Sequence, residues 1–166
     1  MSKQSGITLS YFILMIFCLV SAENLFAHCE VPCGIYDDEM RFTMLREDIQ
    51  TIEKAMQQVS SLSTEPSPNW NQIVRWVMTK ETHADKISDT VTEYFLKQRI
   101  KPVEPLEKAE YQKYLEKLIL LHKIMVTSMK CKQTLDLENV RALNKLVDDF
   151  YKAYFGTDAD PQLEHH

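Results

Sequence analysis

Apolar residues recur at steps of three and four through four separate stretches of this chain, and only 3 glycines and 6 prolines interrupt its 166 residues. That spacing puts an apolar stripe along one side of a helix. The shortage of Gly and Pro leaves few sites for the tight turns that many short strands need. The first stretch, 38–62, aligns Phe42, Leu45, Ile49, Ile52, Met56 and Val59, and ends in the turn-rich Ser63-Thr64-Glu65-Pro66-Ser67-Pro68. Asn69 is expected to cap a second helix over 70–99 with the stripe Ile73, Val77, Ala84, Ile87, Val91, Tyr94 and Phe95. Pro102 and Pro105 stop it, and Pro105 is expected near the first turn of a third helix carrying Leu115, Leu118, Leu121, Met125 and Met129. Asp136 caps a fourth, with Val140, Leu143, Leu146 or Val147, Phe150 and Tyr154 on its inner face and Gly156 to end it. Four such helices on short connections bury their stripes against one another. The expected fold is therefore all-α, an antiparallel four-helix bundle over residues 37–162. The aromatics Trp70, Trp76, Tyr94, Tyr111, Tyr114, Phe150 and Tyr151 exceed what one small core obviously needs; they read as a subunit interface or as ordinary half-buried rings.

The segment ahead of the helices has a different character. Lys3 precedes an apolar run from Ile7 to Ala22, the pattern of a cleavable export leader over residues 1–27. An uncleaved membrane anchor is the other reading. Two cleavage sites fit, one after Val20-Ser21-Ala22 and one after Leu25-Phe26-Ala27, directly before His28. The leader predicts export, periplasmic or secreted, with a leader-processing protease as partner and no membrane attachment after cleavage; a cytoplasmic protein whose leader serves maturation is the alternative. Residues 163–166, ending in His165 and His166, read as a tag remnant or as natural sequence, with no function assigned. The net charge is −5 and no basic patch stands out, so nucleic acid is not an expected partner.

Between leader and helices lies the nonapeptide His28-Cys29-Glu30-Val31-Pro32-Cys33-Gly34-Ile35-Tyr36. Two thiols four positions apart, with an adjacent imidazole, suit a transition metal. Structural zinc wants a second pair of ligands, and the rest of the chain offers only Cys131, His83, His122 and the terminal histidines, with Cys18 lost in the leader. The order and spacing are wrong for a c-type haem. His122 and Cys131 read as structural.

The pattern His-Cys-x-x-Pro-Cys-Gly-x-Tyr at the head of an acidic helical chain resembles the nickel superoxide dismutase family. The segments Arg75-Trp76-Val77, Lys80-Glu81, His83-Ala84-Asp85-Lys86-Ile87 and Tyr94-Phe95 are also similar to it, particularly to its cyanobacterial type. The resemblance implies a metal-binding hook over residues 28–36 that holds one nickel ion per chain. Its ligands would be the free amino group of His28, the backbone nitrogen of Cys29, the thiolates of Cys29 and Cys33, and the His28 imidazole as axial donor. It implies Ni(II)/Ni(III) cycling, with one superoxide oxidised to dioxygen and another reduced to hydrogen peroxide, and a homo-oligomer, a hexamer of bundles. Tyr36 is expected to gate the open face, and Tyr94 to be a second tyrosine near the site. Glu30 stands where the family usually has aspartate and would order the loop. The family often supports the axial imidazole through a glutamate and an arginine; here no arginine falls clearly in register, and His83 lies near that place.

Elementary chemistry agrees with those roles. Anionic sulfur and nitrogen donors stabilise the higher oxidation state, and a tetragonal nitrogen-and-sulfur set suits divalent nickel. Pro32 can turn the chain so that Cys33 reaches the metal bound by Cys29, and Gly34 frees the backbone for a tight curl. The amine and thiols must lose protons to bind, so loading depends on pH. Cleavage after Ala22 would leave five residues on His28 and an amide in place of the amine. Two other readings of the same residues are an exported bundle with a Cys29–Cys33 disulfide, and a metal carrier without turnover.

Overall fold

The computed structural model describes residues 37–156. Four α-helices form: α1 (Asp38–Ser63), α2 (Trp70–Asp89), α3 (Lys108–Gln133) and α4 (Leu137–Phe155). α2 runs directly into a π-helical segment, Thr90–Arg99, and no strand occurs among the described residues. The cross-contacts run in opposite directions along neighbouring helices. Asp38 meets Arg99 while Asp48 meets His83; Glu39 meets Tyr151 while Arg46 meets Asp148; Lys80 meets Cys131 while Ala84 meets Ser128. This is the up-and-down bundle that short connections dictate.

Local chemistry sets the helix ends. The Met40 amide donates to the Asp37 side chain at 2.8 Å, the Gln72 amide to Asn69 at 3.2 Å and the Glu138 amide to Asp136 at 3.0 Å, so each of these helices starts on an oxygen that satisfies an orphan N–H. At the other end Gly156 takes φ +118° and its amide donates to the Lys152 carbonyl, a conformation that favours glycine. Pro105 does not open α3 as expected. It occupies the second position of a turn in which the Glu107 amide donates to the Glu104 carbonyl at 3.1 Å, and α3 begins at Lys108. The fixed φ of proline suits that turn position as well as a helix start.

The core confirms the stripes of α1 and α2: Phe42, Leu45, Ile49, Ile52, Met56, Val59, Ile73, Ala84, Ile87, Val91, Tyr94 and Phe95 are buried, and Val77 is half-buried. In α4 Val140, Leu143, Val147 and Phe150 are buried, which settles Val147 over Leu146. Each fully buried side chain of this size contributes roughly 1.5–3 kcal/mol before chain entropy is deducted. The stripe read for α3 is shifted. Leu121 is buried, but Leu115, Leu118 and Met125 are half-buried and Met129 is 49% exposed, while Ile124, Thr127, Ser128 and Cys131 face the core. α3 is apolar on several sides, so spacing alone could not choose its inner face, and two of the inward residues are polar. Ser128 is accommodated because its hydroxyl donates to the Ala84 carbonyl at 2.7 Å. Of the seven singled-out aromatics, Tyr94, Phe150 and Tyr151 are core, Trp76, Tyr111 and Tyr114 are half-buried, and Trp70 is exposed.

One buried charge ties α2 to α3. Lys80, 4% exposed, donates from Nζ to the carbonyls of Cys131 (3.0 Å), Lys132 and Thr134 (3.4 Å). These lie at the negative end of α3, which stabilises a cation there.

Candidate metal centre

His28, Cys29, Glu30, Pro32, Cys33, Gly34 and Tyr36 lie outside the described residues. The described chain starts one residue beyond Tyr36, at the N-terminal end of α1, and that end carries the densest polar network of the bundle.

Its centre is Asp38. Oδ1 accepts from the Tyr94 hydroxyl at 2.5 Å and from Arg99 Nε at 2.9 Å; Oδ2 accepts from Arg99 Nη2 at 2.5 Å and from the Tyr154 hydroxyl at 2.9 Å. Arg99 Nε also donates to the Tyr154 oxygen at 3.2 Å. In an α-helix, residues five apart point about 140° away from each other. In the π-helical segment the repeat is wider, as the Ile100 amide shows by donating to the Phe95 carbonyl at 2.8 Å, so Tyr94 and Arg99 face the same carboxylate. The local sequence favours the change: Thr90, Val91 and Thr92 are β-branched in succession, and the hydroxyls of Ser88 and Thr92 bond back to helix carbonyls. Arg41 lies 4.5 Å from the centroid of the Tyr94 ring, and the Tyr151 hydroxyl donates to Glu39 at 2.8 Å.

The electrostatics follow from these contacts. Burial would raise the Asp38 pKa, but hydrogen bonds from Arg99, Tyr94 and Tyr154 outweigh it and hold the carboxyl below its ordinary range. Burial and the Asp38 carboxylate push the Tyr94 phenol well above its usual value and the Tyr154 phenol up to about 12. Both phenols are therefore protonated at neutral pH, with their protons directed at Asp38. Tyr94, predicted to stand near the metal, serves here as a donor to the carboxylate two residues after Tyr36.

The other predicted supporting residue, His83, is three turns further along. Its Nδ1 lies 2.6 Å from Asp48 Oδ1, and Asp48 is itself buried. Asp48 is ten residues from Asp38, which puts the His83–Asp48 pair about 15 Å along α1 from the network. Cys131 is a buried free thiol whose pKa is pushed up to about 11 by burial, with Lys80 opposing, in keeping with a structural role. His122 is exposed on α3, so it has no place in the core. Among the described residues no trio of His, Cys, Asp or Glu converges on a point where a metal could sit. Sequence reasoning missed Asp38, Arg99 and Tyr154. The signal for them was slight: an arginine five residues after Tyr94, following a run of β-branched residues.

The chain matches no curated protein and no solved structure. It does match the model of one protein family over residues 23–158, a span that contains the whole nonapeptide and all four helices and leaves the apolar run of 7–22 outside. Most of the chain thus falls within that match, and the protein belongs to the family of nickel-containing superoxide dismutases.

Proposed function

We propose that the nonapeptide His28–Tyr36 is the redox site of this superoxide dismutase. The observation that carries the reading is the family match across 23–158, which includes the one cluster of soft donors in the mature sequence. The donor chemistry fits nickel: the Cys29 and Cys33 thiolates, the Cys29 backbone nitrogen and the terminal amine of His28 offer two sulfurs and two nitrogens for a tetragonal set, with the His28 imidazole as a further ligand. When bound, nickel at about one ion per chain supplies alternation between its divalent and trivalent states.

The remaining work falls to the chain. His28, Cys29 and Cys33 would hold the metal, and the protein-supplied donors would take the place of water on it. Tyr36 is assigned the role of gate, with its hydroxyl orienting the incoming anion. Glu30, Pro32 and Gly34 hold the loop so that both sulfurs reach one point. Asp38, tied down by Tyr94, Arg99 and Tyr154, fixes the first turn of α1 and with it the stem from which the hook departs. His83, whose Nδ1 lies 2.6 Å from Asp48 Oδ1, is the proposed support for the His28 imidazole. The leader supports export to the periplasm or beyond, with a protease exposing His28. A homo-oligomer, a hexamer as in the family, belongs to the same reading: Trp70, Val74 and Met78 stand 67%, 55% and 63% exposed at four-residue steps along α2.

The decisive experiment combines metal analysis with a superoxide assay on the mature protein. Nickel with rapid dismutation supports the reading. Nickel without turnover marks a carrier, and a Cys29–Cys33 disulfide without metal marks a structural hook; either outcome overturns it. Sedimentation of the same sample tests the oligomer.

A further inference from the structure

Leu106 is the most exposed large apolar side chain among the described residues, at 93%. A single exposed leucine on a loose loop would carry little meaning. This one stands on a fixed turn. Pro105 precedes it, the Glu107 amide closes on the Glu104 carbonyl at 3.1 Å, and α3 begins at Lys108. The turn has little conformational freedom left to lose when Leu106 is covered. Glu104 and Glu107 flank the leucine, both exposed, and neither has a cation within ion-pair distance among the described residues.

A surface of the opposite character lies between α3 and α4. A groove of about 580 Å³ is lined there by Leu115, Ile119, Leu120 and Ala153. Ile119 is 53% exposed, and Leu115 and Leu120 are half-buried, so the groove is apolar surface left in water. Lys123 and Lys152 stand on its rim, exposed and with no carboxylate within ion-pair distance among the described residues. The rim carboxylate of Asp149 already takes Lys145 at 2.5 Å. The other rim acid, Glu116, has a counterpart in Lys108, next to the turn. An apolar knob between two acids thus matches an apolar groove between two bases. The exposure of Leu106 shows that it does not fill the groove of its own chain.

We propose that the Glu104–Glu107 turn of one copy docks in the α3–α4 groove of a second copy, with Leu106 between Leu115 and Ile119 and the two glutamates against Lys123 and Lys152. Turn and groove are different patches, so the contact is head-to-tail, and a series of such contacts ends only by closing into a ring. The inference rests on the homo-oligomer proposed above, but it uses residues other than Trp70, Val74 and Met78 and does not require dismutation.

The test is sedimentation of the full mature protein and three variants across a dilution series. L106E puts a charge on the knob, K123E/K152E turns the rim against Glu104 and Glu107, and E104K/E107K/K123E/K152E exchanges the signs across the contact. The first two should weaken assembly at least tenfold and sediment as smaller species, and the exchanged variant should recover most of the parent's assembly. Leu106, Lys123 and Lys152 are exposed, so melting followed by circular dichroism should match the parent in every variant. A second measurement identifies the groove directly. Isotope-labelled L106E has an intact groove, and unlabelled K123E/K152E has an intact turn. Mixing them should shift the Leu115 and Ile119 methyl resonances, whereas unlabelled L106E should leave them in place. Assembly that persists unchanged in L106E and K123E/K152E would leave the oligomer standing and remove this contact. A parent that stays monomeric would overturn both, with the groove left to a different occupant. Assembly through the turn in a protein without dismutation would keep the contact and sink the dismutase reading.

Discussion

Replacing Asp38 by Asn keeps the side chain's shape and removes its charge. Oδ1 remains to accept from Tyr94 and from Arg99 Nε, but the amide nitrogen takes the place of Oδ2 and confronts Arg99 Nη2, another donor. Tyr154 can rotate its hydroxyl to accept instead of donate. The loss is then one charge-assisted bond and the attraction between carboxylate and guanidinium. A hydrogen bond to a charged partner contributes about 1.5–3 kcal/mol. The Arg99 side chain is 29% exposed, so water recovers part of that, and about 2 kcal/mol should be lost. In a bundle of this size Tm should fall by roughly 5–10 °C. The pH dependence has a definite sign. Asp38 titrates below its ordinary value in the folded chain, so its contribution is complete above the unfolded carboxylate range, near about 4, and is lost as pH falls through the folded value. Thermal unfolding followed by circular dichroism should show parent and D38N far apart at neutral pH and converging in acid. Equal melting at neutral pH, or a gap that persists in strong acid, would refute the reasoning.

Other outcomes follow from the same contacts. Lys80→Met keeps the aliphatic stem but removes the cation from the end of α3, so the Thr134 amide, which donates to the Lys130 carbonyl at 3.1 Å, should exchange about tenfold faster with solvent; unchanged exchange would remove the capping role. Cys131, buried and with its pKa pushed up to about 11, should resist alkylation in the native metal-free mature protein while Cys29 and Cys33 react, and should label only on unfolding, which mass spectrometry of the modified chain will show. Cys29→Ser or Cys33→Ser should abolish dismutation by removing an anionic sulfur donor, and a tenth of parental turnover in either would defeat the ligand assignment. His28→Ala should still take up nickel through its amine but turn over slowly; a parental rate would end the axial role of the imidazole.

What could be read in advance divides along physical lines. Phe42 through Val59 and Val140 through Phe150 carry their apolar residues mainly on one face, so period and burial agree. α3 has apolar residues on nearly every side, and its inner face was chosen by Ser128 and Cys131, whose burial depends on partners supplied by other helices. Asn69, Asp136 and Gly156 announced their caps because each acts on its own neighbours. Pro105 fitted two local structures equally well, and its turn won. The Asp38 network was illegible for a related reason: Tyr94 and Arg99 converge only where the helix widens, and an α-helical reading sends them to different sides. The proposed donors His28, Cys29 and Cys33 lie outside the described residues; they stand out in the sequence because metal chemistry depends on residue type and spacing within nine residues.

A nickel hook of this kind requires the working protein to start at His28 and to carry nickel there. Intact mass and metal content, measured across the fractions that dismutate superoxide, address both points together. Activity should coincide with chains that begin at His28 and hold about one nickel ion each. Activity that follows chains beginning at Glu23, or fractions without nickel, would contradict it.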